Sequence, residues 1–134
     1  MSAPVTRTML VADDEPGMRD LFRYCFEPPR YDVDTAVDGA SALEAVRRRA
    51  YDLVVLDVHM SPIAGADALG EIWRLRPDQK VLILSSGGGE RLDLERAAAR
   101  QGVRWLRKPV DLDELGRAIE ALIACSPPAV RSAG

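Results

Sequence analysis

The sequence has few of the features that mark exported, membrane-bound or nucleic-acid-binding proteins. It contains two cysteines, and no apolar run approaches the roughly 20 residues that a membrane-spanning helix needs. Residues 1–7 are too short and polar for a signal peptide. Acidic residues outnumber basic ones by 21 to 18, so there is no positive excess to attract nucleic acid or an anionic membrane. We therefore expect a cytoplasmic domain without membrane association or direct nucleic-acid binding.

Cysteine and lysine each occur twice, as Cys25 and Cys125 and as Lys80 and Lys108. Each cysteine falls on the apolar face of a predicted helix, which favours two buried free thiols over a disulfide. The disulfide remains an alternative, because their pairing cannot be read from the sequence.

Five short apolar segments alternate with amphipathic ones along the 134 residues. Residues 8–12, 53–56 and 81–84 are almost wholly apolar, which is typical of central strands covered on both faces. Residues 31–37 and 103–106 mix polar and apolar positions, as edge strands do. Helical spacing of apolar residues predicts helices around 18–26, 43–50, 69–73, 94–101 and 112–123. Such alternation, with short connections, predicts one α/β domain: a parallel sheet with helices on both faces.

Charged and hydroxyl side chains follow the predicted strands where each strand ends. Asp13 and Asp14 follow the first strand, Asp57 ends the third, Ser85 ends the fourth and Lys108 follows the fifth. Ligands of such sheets bind outside the carboxyl ends of the strands, at the switch point in strand order. If these ends are neighbours, three carboxylates, a hydroxyl and an ammonium group meet at one edge of the sheet.

Three adjacent carboxylates need a cation to remain ionised together. Two like charges 4 Å apart repel by about 4 kcal/mol at an effective dielectric constant near 20. Lys108 offsets one charge, and the remaining oxygen ligands suit Mg²⁺, which binds one or two carboxylates and keeps several waters. A carboxylate beside Mg²⁺ and a lysine is placed to attack a phosphorus atom, giving an aspartyl-phosphate.

Six motifs together resemble the receiver domain of bacterial two-component response regulators, the CheY-like family. The resemblance covers about residues 7–125 and rests on residues 11–16 (VADDEP), 38–39 (DG), 51–57 (YDLVVLD), Gly65, 84–86 (LSS) and 106–109 (LRKP). It implies a flavodoxin-like, doubly wound parallel sheet of five strands in the order 2-1-3-4-5, flanked by five helices. The expected receiver domain spans residues 1–126, and residues 127–134 form a tail or the start of a linker.

The resemblance also implies a role for each acidic residue. Asp57 is the expected phosphoacceptor, Asp14 a direct Mg²⁺ ligand, and Asp13 a ligand that acts directly or through water. Asp57 and the backbone carbonyl of His59 are expected to complete the protein ligands. The alternative for Asp13 and Asp14 is that they cap the first helix.

Three further residues are implied to read the phosphorylated state. Lys108 is expected to pair with Asp57 and then with the phosphoryl group. The Lys108–Pro109 peptide bond is expected to be cis, as is usual in this family. The Ser85 hydroxyl is expected to turn inward to the phosphoryl group, and Trp105 to follow it as the aromatic switch. The alternative for Trp105 is simple packing against the fourth predicted helix.

The implied function is a Mg²⁺-dependent switch that catalyses its own phosphorylation and hydrolysis without being a conventional enzyme. The implied phosphodonor is a sensor histidine kinase or a phosphotransfer protein. The output partner, or a second copy of the chain, would bind the face of the fourth predicted helix, fifth strand and fifth predicted helix. The sequence does not say whether the domain stands alone or belongs to a longer chain.

The segment after Asp57 departs from the family pattern. Ser61 stands where a proline is usual, and Pro62 follows one position later. His59, two residues after Asp57, is a hypothesised influence on the lifetime of the phosphoryl group, although a lone exposed histidine is often inert.

Two other functions stay open: a receiver-like scaffold that works without phosphorylation, and a flavodoxin-like cofactor binder, which would not need Lys108.

Overall fold

The computed structural model describes residues 6–57, 65–85 and 102–124, apart from the side chains of residues 65–67. Five strands and four helices lie within these ranges. In chain order they are β1 (Arg7–Ala12), α1 (Pro16–Cys25), β2 (Tyr31–Ala36), α2 (Gly39–Arg48), β3 (Leu53–Asp57), α3 (Gly65–Leu75), β4 (Val81–Ser85), β5 (Val103–Arg107) and α4 (Leu112–Ala124). The helix predicted around residues 94–101 lies outside the described residues.

The strands form one parallel sheet in the order β2-β1-β3-β4-β5, which confirms the predicted fold. Every residue of β3 and β4 is buried, whereas β2 buries only its first and last residues. This contrast fits a sheet whose centre is covered on both faces and whose edge strand is partly open to water.

Successive residues of β1 enter different layers of the core because side chains alternate across a strand. Leu10 and Ala12 join one buried cluster, which includes residues of α2 and α3. Met9 and Val11 join the other, which includes residues of α1 and α4. No helix within the described ranges is long and apolar enough to cross a membrane.

The predicted burial of Cys25 is wrong, although its thiol is free as expected. Helix α1 meets the core through Met18, Phe22 and Phe26, one residue per turn, and of its own residues only Phe22 is fully buried. The buried stripe is too narrow to include Cys25, which is exposed. Cys125 lies outside the described residues.

Asp52 directly precedes β3 and links the start of that strand to β1. Its carboxylate is largely buried and accepts hydrogen bonds from the Thr8 amide at 2.7 Å and the Thr8 hydroxyl at 3.3 Å. Asp52→Ala is expected to lower the free energy of unfolding by about 2–3 kcal/mol, because the buried Thr8 groups lose a charged acceptor. Urea denaturation measures this. The control, exposed Asp20→Ala, should stay within about 0.5 kcal/mol of wild type, and equal losses would contradict the assignment.

Candidate functional site

The carboxyl ends of β1, β3 and β5 bring one lysine and two buried aspartates together. Asp13 directly follows β1, Asp57 is the last residue of β3, and Lys108 directly follows β5. Asp13 and Asp57 are 1% and 2% exposed, and the Lys108 side chain is 15% exposed. The site therefore opens to solvent on the side of Lys108 and the exposed Asp14.

Lys108 Nζ lies between the two buried carboxylates. It is 3.2 Å from Asp57 Oδ2 and 3.3 Å from Asp13 Oδ2, and Glu15 Oε1 follows at 3.8 Å. The Lys108 amide donates to the Ser85 carbonyl at 2.7 Å, which ties the segment after β5 to the end of β4. Lys108 is thus held both at its backbone amide and at its ammonium group.

Asp14 completes a group of three carboxylates. One oxygen each of Asp13, Asp14 and Asp57 lies within 4.8 Å of the others. Lys108 balances one of these three negative charges, and two remain in excess. Hard oxygen donors with this charge, one of them open to water, fit Mg²⁺ in donor type.

Asp13 is held in place through its backbone as well as its side chain. Its amide donates to the Ala36 carbonyl at 3.1 Å, and its Oδ1 accepts from the Glu15 amide at 2.9 Å. Its carbonyl accepts from Arg19 Nη1 at 2.7 Å. The N-cap of α1 is Glu15, and no side chain caps that helix. The alternative that Asp13 or Asp14 caps α1 is therefore wrong.

The pKa values of Asp13 and Lys108 are both raised, for different reasons. The pKa of Asp13 is raised above 3.8 mainly by desolvation, and the Asp57 charge adds to the shift, while the Glu15 amide and Lys108 oppose it. Burial alone would lower the pKa of Lys108, but the charges of Asp13 and Asp57 outweigh it, so that pKa is raised above 10.5. The ammonium group therefore stays charged at neutral pH.

In metal-free protein, Asp13 is expected to make stability fall as the pH rises. Its folded-state pKa lies above the ordinary value of 3.8, so between those two pKa values the folded state binds more protons than the unfolded state. The Asp13 contribution to the free energy of unfolding decreases as the pH rises through this window. Urea unfolding of wild type and Asp13→Asn at several pH values isolates it. The raised pKa of Asp13 would be contradicted if the two proteins differed in free energy of unfolding by the same amount at every pH. It would also be contradicted if wild type gained stability relative to Asp13→Asn as the pH rose.

A family model described as "Response regulator receiver domain" matches residues 9–120 of the chain. The chain belongs to this family. It is therefore a receiver domain, the phosphoacceptor domain of two-component signalling, and the family predicted from its motifs is confirmed. Receiver domains are generally not conventional enzymes.

Relatives of this receiver domain include longer regulators. The transcriptional regulatory protein GlrR of Escherichia coli K12 is 36% identical over 122 residues, which are 90% of this chain and 27% of GlrR. The probable transcriptional regulatory protein TcrX of Mycobacterium tuberculosis is 31% identical over 116 residues, 87% of this chain and 49% of TcrX. The chain thus spans between a quarter and a half of the length of these curated relatives.

A solved receiver structure matches both in fold and in sequence. It is the response regulator TrrA of Thermotoga maritima, in complex with Mg(2+)-BeF, at 34% identity and a TM-score of 0.75. The match covers 87% of this chain and 98% of the TrrA chain.

The two residues expected to signal phosphorylation lie on the neighbouring strands β4 and β5 of the receiver sheet. Ser85 ends β4 and is buried. Trp105 on β5 is partly buried and packs against the core cluster of the α2–α3 face. Its Nε1 is buried and has no hydrogen-bond partner within the described part of the chain. The Lys108–Pro109 bond is cis, as the resemblance implied. His59, Ser61 and Pro62 lie outside the described residues.

Sequence reasoning missed two side chains beside the acidic group. Glu15 approaches Lys108 from the solvent side, and Arg19 reaches back from α1 to the Asp13 carbonyl. The only signal for Arg19 is its place one turn into α1, six residues after Asp13, which does not specify a backbone contact.

Proposed function

We propose that Asp57 is the residue of this receiver domain that accepts the phosphoryl group. Asp13 belongs to the loop after β1, where the Glu15 amide holds its Oδ1, whereas Asp57 ends the central strand β3. Asp14 is exposed and is not an ion-pair partner of Lys108 within the described residues. The observation that carries the proposal is the buried Asp57 carboxylate, with its Oδ2 3.2 Å from Lys108 Nζ.

The proposed reaction is transfer of a phosphoryl group from a phosphohistidine. An Asp57 carboxylate oxygen attacks phosphorus, the new O–P bond forms as the P–N bond breaks, and the imidazole leaves with the bonding electrons and takes up a proton. Lys108 is proposed to balance the negative charge on the transferring oxygens, since an ammonium group in a buried site acts strongly there. Water then attacks phosphorus, the acyl O–P bond breaks, and inorganic phosphate leaves as the Asp57 carboxylate is restored, so the domain turns over without being a conventional enzyme.

The proposed Mg²⁺ ligands are Asp13, Asp14, Asp57 and the backbone carbonyl of His59. The three carboxylates support this by their proximity and their excess charge, and His59 lies outside the described residues. When bound, Mg²⁺ would neutralise charge that develops on the phosphoryl oxygens. The complex of the related TrrA with Mg(2+)-BeF supports the binding of Mg²⁺ by this chain.

Ser85 and Trp105 are proposed to report the phosphorylated state. Shifting a two-state equilibrium from 1:99 to 99:1 takes about 5.5 kcal/mol. Two or three new charge-assisted hydrogen bonds, from Lys108, Ser85 and backbone amides, supply this at roughly 1.5–3 kcal/mol each. The proposed output surface combines residues 94–101 with β5 and α4, and it would bind a downstream protein or domain or a second copy of the chain.

The proposed phosphodonor is a sensor histidine kinase or a phosphotransfer protein in the cytoplasm. GlrR and TcrX are named as transcriptional regulatory proteins, which supports a role in signalling to transcription. The proposed receiver unit comprises residues 1–126, with residues 127–134 as a tail or linker.

Labelling with a small phosphodonor tests this function. The chain is incubated with phosphoramidate, with Mg²⁺ or with a chelator, and its intact mass is measured. We expect a mass increase of one phosphoryl group in Mg²⁺ and none in chelator. The added group should be lost in alkali, as an acyl phosphate is. Labelling that ignores the chelator, or no labelling at all, would overturn the proposal.

A further inference from the structure

Three hydrogen bonds close a ring around residues 13–15, the loop that joins β1 to α1. Asp13 Oδ1 accepts from the Glu15 amide at 2.9 Å, and the Glu15 carbonyl accepts from the Arg19 amide at 3.3 Å. Arg19 Nη1 then donates to the Asp13 carbonyl at 2.7 Å. The loop is thus tied to α1 by both the backbone and the side chain of Arg19, which is partly buried.

Asp14 is the middle residue of this loop, and the position of its backbone depends on the three hydrogen bonds. Its side chain is exposed, and within residues 6–57, 65–85 and 102–124 its carboxylate makes no hydrogen bond or ion pair. The loop backbone therefore sets the position and direction of the Asp14 Cα–Cβ bond, from which the carboxylate reaches its neighbours. Asp13 differs, because its own carboxylate is held by Lys108 and the Glu15 amide.

We propose that Arg19 is a positioning residue for the cation site. By holding the Asp13 carbonyl it fixes the peptide that joins Asp13 to Asp14, and so keeps the Asp14 carboxylate within 4.8 Å of its two partners. This inference rests on the proposed function, because it assumes that the three carboxylates bind Mg²⁺.

The charge of Arg19 and its hydrogen bond predict opposite results when the side chain is removed. As a positive charge beside the carboxylates, Arg19 repels a divalent cation, so its removal alone would tighten Mg²⁺ binding. As a positioning residue it holds a ligand in place, so its removal would weaken binding. Partners that orient metal ligands typically contribute about 10- to 100-fold in metal affinity.

Calorimetric titration of the 134-residue chain with Mg²⁺ separates the two. Arg19→Met keeps the aliphatic stem and is expected to bind Mg²⁺ roughly tenfold more weakly than wild type. Arg19→Lys restores the charge and one donor and should recover most of the affinity. The matched control is Arg23→Met on the same helix, which removes an equal charge and, among the described residues, breaks only the hydrogen bond to the Thr35 hydroxyl. Its Mg²⁺ affinity should be equal to or slightly above that of wild type.

Two results would overturn the positioning role while leaving the proposed function intact. One is a folded Arg19→Met, checked by urea unfolding, that binds Mg²⁺ as tightly as wild type or more tightly. The other is Arg19→Lys binding no better than Arg19→Met. A wild type that fails to bind Mg²⁺ overturns the proposed function and this inference with it.

Discussion

Asp57→Asn is expected to abolish phosphorylation of the domain by phosphoramidate. The amide can still accept a hydrogen bond from Lys108, so the arrangement around it should persist, but an amide is not a nucleophile for phosphorus. We expect the labelled fraction, followed by intact mass over time, to rise at least roughly 1,000-fold more slowly than in wild type. Urea unfolding should show that the variant is folded.

The matched control is another aspartate that follows a strand. Asp38 caps α2, with its Oδ1 2.8 Å from the Ser41 amide. Asparagine caps helices about as well as aspartate, so Asp38→Asn should fold and be labelled at the wild-type rate. If Asp57→Asn were labelled as fast as Asp38→Asn, the phosphoacceptor would be another residue, and the proposal for Asp57 would be wrong.

Lys108→Met is expected to slow phosphorylation by roughly 100-fold while leaving Mg²⁺ binding in place. Loss of one group that stabilises charge in the transition state costs about 100- to 1,000-fold in rate. Mg²⁺ should bind at least as tightly as in wild type, because the ammonium group 3.2 Å from Asp57 and 3.3 Å from Asp13 no longer competes for their charge. Rate and affinity are measured by phosphoramidate labelling and by calorimetry.

Lys80→Met is the control, because Lys80 is the only other lysine in the chain. It precedes β4 at the opposite end of the sheet from Lys108, so its loss removes the same charge without touching the site. We expect wild-type labelling and Mg²⁺ affinity. An equal loss of rate in the two variants would show that net charge, not the position of Lys108, is what matters.

The fold could be predicted from the sequence because buried strands and edge strands have different patterns of apolar and polar residues. The apolar segments 53–56 and 81–84 lie in β3 and β4, every residue of which is buried, and the mixed segment 31–37 gave β2, an edge strand. The ends of the strands were predicted less accurately. Strand β1 begins at Arg7, one residue before the predicted start, and β2 ends at Ala36, one residue before the predicted end. Apolarity does not mark where a ladder of backbone hydrogen bonds starts or stops.

The site was predictable where it depends on the ends of strands. Parallel strands point their carboxyl ends to the same edge, so Asp13, Asp57 and Lys108 had to lie near one another once the strand order was known. Contacts that depend on the packing of α1 could not be predicted. Arg19 reaches the Asp13 carbonyl, and Cys25 is exposed, because of how the helix is rotated on the sheet.

Binding of beryllofluoride, a phosphoryl mimic, reports directly on magnesium-dependent phosphoryl binding at Asp57. The chain is titrated with beryllofluoride in Mg²⁺ or in chelator, and binding is followed by Trp105 fluorescence in a Trp73→Phe background and by calorimetry. We expect one equivalent to bind in Mg²⁺, none in chelator, and none to Asp57→Asn under either condition. Wild type that ignores beryllofluoride in Mg²⁺, or Asp57→Asn that binds it like wild type, would contradict a magnesium-dependent phosphoacceptor at Asp57.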